Sequence, residues 1–244
     1  MKIKLFSTVA IILFIYINHS FAQYNSNELE LLFTYNYTTT SKLYLSPYAA
    51  NPFDRAAHEN LDDIYSVGGE IKYRISEPIV VGLNVEYLKR EGVETQITGV
   101  KNHASVSVDV KDGYTLVPVE LSVYYLLPFS SDKFKFYMGG GIGVYFGNHV
   151  RTFYGIDVAN EKRKFSYGIQ VGLGLEYLIN KYFSVVGGMK FRDPEFELTS
   201  KYNAVSFTDE DGGEVILSED TFDSKVNIDG VTFFLGVGIG IDLF

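Results

Sequence analysis

Three histidines lie in polar stretches of the chain: His58, His103 and His149. A histidine beside a carboxylate can move a proton, the minimum requirement for hydrolysis or acyl transfer. His58 comes nearest, with Glu59, Asp62 and Asp63 close behind it. No nucleophile motif accompanies any of the three, and histidines scattered through polar connections are ordinarily solvated. No catalytic residue is assigned. The acidic stretch Asp209, Glu210, Asp211, Glu214, Glu219, Asp220 and Asp223 offers oxygen ligands of the kind calcium takes. Gly212 and Gly213 fall too early for a twelve-residue calcium loop, so a solvated acidic loop is expected, with no metal and no cofactor. The tract Gly139–Gly143 is not a phosphate loop, because it continues an alternating segment and opens no helix.

A third set of charges is spaced differently. Glu30, Glu70, Glu86, Glu120 and Glu176, with Lys72, Arg74, Lys135, Lys190 and Arg192, occupy alternating segments, each opposite in phase to a run of apolar residues. The two signs nearly balance. A buried charge needs a partner, and the interior of a small closed barrel supplies one. Glu70, Lys72, Arg74, Glu86, Glu120, Lys135, Glu176, Lys190 and Arg192 are therefore expected to form an interior charge network. It would act either as a salt-bridged plug or as the lining of a narrow conducting path. An eight-stranded barrel is only just wide enough for its own side chains, which favours the plug.

The elements that carry these charges are strands. From Val117 the chain alternates, with Val119, Leu121, Val123 and Tyr125 in one phase and Pro118, Glu120, Ser122 and Tyr124 in the other. After Pro128, Ser130, Ser131 and Asp132 the alternation resumes, setting Phe134, Met138, Ile142, Val144 and Phe146 against Lys135, Tyr137 and the glycines. Two such runs about a short turn predict an antiparallel hairpin. Each run is about the length needed to cross a bilayer at a tilt. The same unit predicts strands over 28–38, 64–75, 79–89, 164–177, 182–192 and 230–244. The connections alternate long and short: 39–63, 90–113, 148–163 and 193–229 against 76–78, 128–133 and 179–181. Val106, Val108 and Val110 also alternate, which predicts a ribbon projecting from the third and fourth strands.

The first residues read as a secretory signal: Lys2 and Lys4, the apolar run from Leu5 to Ile17, and the small-x-small site Ser20-Phe21-Ala22. The expected organisation is a cleaved segment, 1–22, and one domain, 23–244, with 19 basic and 30 acidic residues. That acidic balance argues against nucleic-acid binding. The chain has no cysteine, so no disulfide framework is available. A soluble barrel with an apolar cavity would alternate as well. Three features favour apolar-out. Aromatics cluster at the strand ends (Tyr73, Phe134, Tyr177 and Phe183; Tyr37, Tyr65, Tyr87, Phe146, Phe165 and Phe191), the other face balances its charges, and that face is rich in glycine.

With this signal, this strand pattern, the segment VPVELSVYYLLPF…KFYMGGGIGVYFG and terminal Phe244, essentially the whole mature chain resembles the small outer-membrane β-barrel proteins of the OmpA-barrel, OmpX and OmpW kind. Phe244 is one step out of phase with Leu243 and the apolar residues before it, a departure from the family's terminal signal. The fold class expected is all-β, an eight-stranded antiparallel up-and-down transmembrane β-barrel. The resemblance implies residence in the bacterial outer membrane with both termini periplasmic, as a monomer. The implied partners are outer-membrane lipid and the export and barrel-assembly machinery, with no extracellular ligand named. A non-enzymatic barrel displaying four long extracellular loops is the first expectation. A narrow channel for a small or hydrophobic solute is the second, and a loop-borne hydrolase or acyltransferase the third.

Overall fold

The computed structural model describes residues 28–242. The signal-like segment 1–22 and the terminal Phe244 lie outside the described residues. Eight of the strands are long: β1 (Leu29–Tyr44), β2 (Glu59–Ser76), β3 (Ile79–Lys101), β4 (Ala104–Leu126), β5 (Phe134–Thr152), β7 (Ser166–Leu178), β8 (Phe183–Arg192) and β13 (Val231–Ile241). They close a ring in the order β1-β2-β3-β4-β5-β7-β8-β13, every pair antiparallel. A closed ring leaves no strand edge to pair with a stranger. Both ends of the described chain lie at the end of the ring that carries the short turns, where Leu29 opposes Ile241 and Tyr73.

The expected eight strands describe the ring alone, since the sheet holds thirteen strands among the described residues. The long connections are not open loops. Five shorter strands fold there: β6 (Val158–Arg163), β9 (Glu195–Tyr202), β10 (Ser206–Thr208), β11 (Glu214–Leu217) and β12 (Thr221–Asn227). A one-turn helix, α1 (Pro52–Ala56), caps the β1–β2 connection. The projecting ribbon of β3 and β4 is continuous to Lys101–Ala104. Its turn is Asn102-His103, both with positive φ (50° and 64°), the backbone that matches strand twist in a two-residue hairpin. Proline, asparagine and aspartate in these connections mask a period-2 pattern that continues through them.

Beyond the ring the wall divides. β3, β4 and β5 continue as one sheet, joined by β11 and β10. The ends of β1 and β2 continue as another, joined by β12, β9 and β6. Alternate side chains of the two sheets meet in an apolar core. Leu43, Leu61, Leu88, Tyr114, Leu116, Phe196, Leu198 and Val226 form its lower part, and Val108, Val110, Phe153, Tyr202, Phe207 and Leu217 its upper part.

Around the ring the apolar phase faces outward. Leu121, Val123, Ile142, Ile169, Leu173, Leu235 and Val237 are all at least half exposed. The aromatics expected in two rows are exposed on this face, Tyr73, Phe134, Tyr177 and Phe183 in one and Tyr65, Tyr87, Phe146, Phe165 and Phe191 in the other, while Tyr37 is half-buried and donates to Asp63. The inward glycines make room for large neighbours. A Cβ on Gly174 would overlap the Tyr137 ring, and one on Gly147 the Phe196 ring. Leu121→Arg is expected to cost about 2–4 kcal/mol in a bilayer near its midplane. Leu116→Ala, which leaves a cavity in the loop-end core, is expected to cost about 2–5 kcal/mol. Equilibrium urea unfolding in lipid measures both. A neutral Leu121→Arg would contradict the outward apolar belt.

Candidate functional site

The lumen is crossed at mid-height by four charged side chains. Glu86 on β3 and Glu120 on β4 face Lys190 and Arg192 on β8, and β3 and β8 stand on opposite sides of the ring. Arg192 binds Glu86 with both terminal nitrogens, Nη1 to Oε2 at 2.8 Å and Nη2 to Oε1 at 3.0 Å. Lys190 Nζ bridges the two acids at 2.8 Å from Glu86 and 3.1 Å from Glu120. Ser66 donates to Glu86 at 2.5 Å and Tyr145 to Glu120 at 3.2 Å. Arg192 is 0% exposed and both acids 1%. The planar guanidinium suits a two-point grip on a carboxylate, and the extra donors occupy the remaining lone pairs.

A second layer lies toward the turn end. Tyr124 donates to Glu70 at 2.7 Å, and Lys72 Nζ sits 4.3 Å from the centre of the Tyr137 ring. Glu30 accepts from Ser184 at 2.9 Å, and Gln170 donates to Ser122. Glu176 and Lys135 are cross-strand neighbours at the turn end, both buried, and Arg74 is half-buried nearby. Glu120 and Lys135 share one hairpin but do not meet. Glu120 opposes Gly143, eight residues beyond Lys135, and its cations come from β8 instead. Among the described residues, two small spaces in the ring measure about 40 Å³ beside Glu70, Asn84 and Lys190 and about 30 Å³ beside Glu30, Lys72 and Glu176. Each has room for about one or two waters. Above the four charges the apolar core covers the lumen.

A charged cluster that the sequence does not announce lies beyond the outer aromatic row. Asp112 on β4, buried, accepts from Arg151 Nε at 2.7 Å and from Nη2 at 2.9 Å. It lies 2.8 Å from His149 Nε2 and also accepts from Thr95 on β3. Arg151 Nη1 donates to Tyr202 on β9 at 2.5 Å, and its guanidinium stacks 4.0 Å from Phe222 on β12. His149 is thus buried, correcting the expectation of a solvated residue. The signal was phase: Asp112 opposes Arg151, and His149 opposes Tyr114, in register on the buried face of the β4–β5 ladder. His58 and His103 are exposed, His58 touching only the Ala56 carbonyl and the Tyr44 ring. In the acidic stretch, Asp209 is tied to Lys101 and to the amides of Asp211 and Gly213.

Burial pushes the His149 pKa down, outweighing the Asp112 carboxylate that favours the cation, and Arg151 adds to the depression. Nδ1 of His149 is buried with no hydrogen-bond partner, so a second proton there would be unsolvated. Histidine in the unfolded chain takes its proton first as pH falls below about 6.5. The contribution of neutral His149 is therefore complete above that pH and is lost as pH falls toward the lowered folded value. Arg151 and His149 hold Asp112 well below the usual carboxylate range, so its own loss begins only in much stronger acid. The urea midpoint of the wild type is expected to fall between pH 7.5 and 5, and this fall is expected to shrink in His149→Gln. An equal fall in both would remove His149 as its cause. In the lumen, Glu86→Gln is expected to cost about 3–5 kcal/mol, since it leaves the buried Lys190 and Arg192 to share one carboxylate, Glu120.

The sequence matches, over residues 21–191, the family described as outer membrane protein beta-barrel domain. Among solved structures the chain is similar to the outer membrane protein OprG from Pseudomonas aeruginosa, at 13% identity and TM-score 0.56, covering 91% of this chain and 99% of that one. It is also similar to Neisserial surface protein A, at 12% identity and TM-score 0.46, covering 88% of this chain and 98% of that one. Ail, the attachment invasion locus protein of Yersinia pestis, aligns at 13% identity and TM-score 0.44, with the same coverage of 88% and 98%. No curated protein matches. Identities this low bear on the fold alone. With the matched family spanning most of the chain and a closed antiparallel ring apolar on its outside, the protein belongs to the small outer-membrane β-barrel family.

Proposed function

We propose that the protein is a non-enzymatic, non-conducting anchor that holds a folded β-platform outside the cell as a binding surface. In this reading the short turns and both termini are periplasmic, the chain is monomeric, and β6 with β9–β12 and the β3–β4 ribbon face outward. The observation that carries it is the double closure of the lumen. The Glu86–Arg192–Glu120–Lys190 cluster spans the bore, and the apolar core of the loop-end sheets covers it. A conducting path would need continuous water, and the two spaces flanking the cluster are of the order of single waters. Binding in such folds resides on segments positioned by a rigid scaffold, and this platform is rigidified by its own core. Hydrolysis draws no support from the Asp112–His149 pair, because both side chains are closed off from solvent.

Two measurements test this reading. Purified protein in planar bilayers is expected to pass no steady current. Single-channel currents whose selectivity shifts in Glu120→Gln would promote the alternative of a narrow channel. A cysteine replacing His103, at the ribbon tip, is expected to react with an impermeant maleimide on intact cells, and one replacing exposed Ser131 is not. The reverse labelling would invert the orientation.

A further inference from the structure

We propose that the edge of β3 over residues 89–98 receives an extended basic peptide as an added strand. This deepens the binding-platform reading, on which it rests, by naming the surface and the chemistry of its partner. Strands β2 and β3 pair as far as Ser66 and Leu88. Beyond that level β2 stays with β1 to Glu59, β3 stays with β4 to Lys101, and the two part. The β2 side of β3 is taken up again only at Gly99 and Val100, by β11. Residues 89–98 have no strand partner on that side among the described residues. At about 3.3 Å per residue the open stretch is roughly 30 Å long, ample for an added strand. Both β2 and β11 run antiparallel to β3, so a peptide between them would complete one column of the sheet.

The main chain of this edge points toward the opening. Ser218 N donates to the Thr98 carbonyl at 3.2 Å, which fixes Thr98 as a residue facing away from β4. By alternation Gln96 and Glu94 face the same way, and each offers one N–H and one C=O with no main-chain partner among the described residues. Gly92, at a bulge with φ of 97°, ends this run from below. Side chains alternate across the edge. Val93 and Ile97 pack on the lower and upper parts of the loop-end core, so apolar side chains of an added strand would lie over them. Glu91, Glu94, Asp62 and Asp63 are exposed beside the opening. Lys89 holds Glu91 and Tyr37 donates to Asp63, whereas Glu94 and Asp62 form no ion pair among the described residues. The cations near them are half-buried Arg90 and exposed Lys111, which opposes Glu94 on β4. Residues 203–229, which supply β10, β11 and β12, add eight acids and one base to this end of the molecule. A field of one sign draws a cationic partner and repels a second copy carrying the same acids. The segment that fits is extended, with apolar residues alternating with basic ones.

The test uses the purified full chain in lipid nanodiscs and a synthetic ten-residue peptide of alternating lysine and valine. The peptide is expected to bind and to slow amide exchange at Glu94 and Gln96 about tenfold or more. A peptide with glutamate in place of lysine, or with methylated backbone nitrogens, is expected not to bind. Glu94→Gln combined with Asp62→Asn is expected to weaken binding about tenfold. Gln96→Pro removes one donor facing the peptide and leaves the β4 ladder whole, so it is expected to weaken binding while the barrel keeps its folded electrophoretic migration. Thr208→Pro, on the free edge of β10, is expected to change nothing. Absence of binding, equal binding of the glutamate or methylated peptide, or equal loss in Thr208→Pro would overturn the proposal. So would protection that spares Glu94 and Gln96, or full retention of binding by both β3 variants. Each of these outcomes leaves the closed lumen and the outward platform standing, which the bilayer currents and the labelling of intact cells decide.

Discussion

Arg192 reaching across the lumen to Glu86 is the interaction on which the rest of the barrel depends. Eight strands enclose a bore that side chains must fill, and charges buried there, such as Arg192 at 0% exposure, must be satisfied by one another. Five strands contribute to one node: Ser66, Glu86, Glu120, Tyr145, and the Lys190 and Arg192 pair. Its net charge is zero, with two acids and two bases. Such a cluster need not add stability over a well-packed apolar filling, because desolvating four charges is expensive. It does penalise every register in which one member loses its partner. A one-residue slip of β8 would turn Lys190 and Arg192 toward lipid.

The loop end obeys a different rule. Once the strands leave the ring, no closed wall forces their outer faces to be apolar, and those faces become charged. Lys42 pairs with Asp229, Lys225 with Glu195 and Lys201 with Glu161 there. The inner faces stay apolar and pack against one another like the layers of a sandwich. One chain therefore holds two kinds of interior: a polar one inside the ring, where the outside is apolar, and an apolar one above it, where the outside is wet. The aromatic rows mark the changeover. Asp112, His149 and Arg151 lie just past it and tie the ribbon sheet to β9 and β12.

Glycine placement follows from the same geometry. Strands β5 and β7 carry inward glycines where Tyr137 and Tyr145 cross the bore and where Phe196 packs just above it, so aromatic rings fill the space that side chains on those strands would need. The rings also serve as donors and as a bed for Lys72, which links packing to the charge layer.

Period 2 in the sequence was sufficient for the ring. The turns at 76–78, 128–133 and 179–181, the outward Leu121 and Ile142 and the inward Glu120 and Arg192 were all legible, because one face meets lipid and the other does not. Which charges meet was not. Glu120 and Lys135 look like partners along one hairpin, yet closure of the ring brings Lys190 and Arg192 to Glu120 from a strand some seventy residues away. The strands within 193–229 were hidden because each is short and broken by Pro194, Asp209 or Gly212, and only pairing with β1, β3 and β9 makes them strands. His149 read as a loop residue because burial there depends on the second sheet folding over it. Local pattern decides which way a side chain points; only closure and the stacking of two sheets decide what it points at.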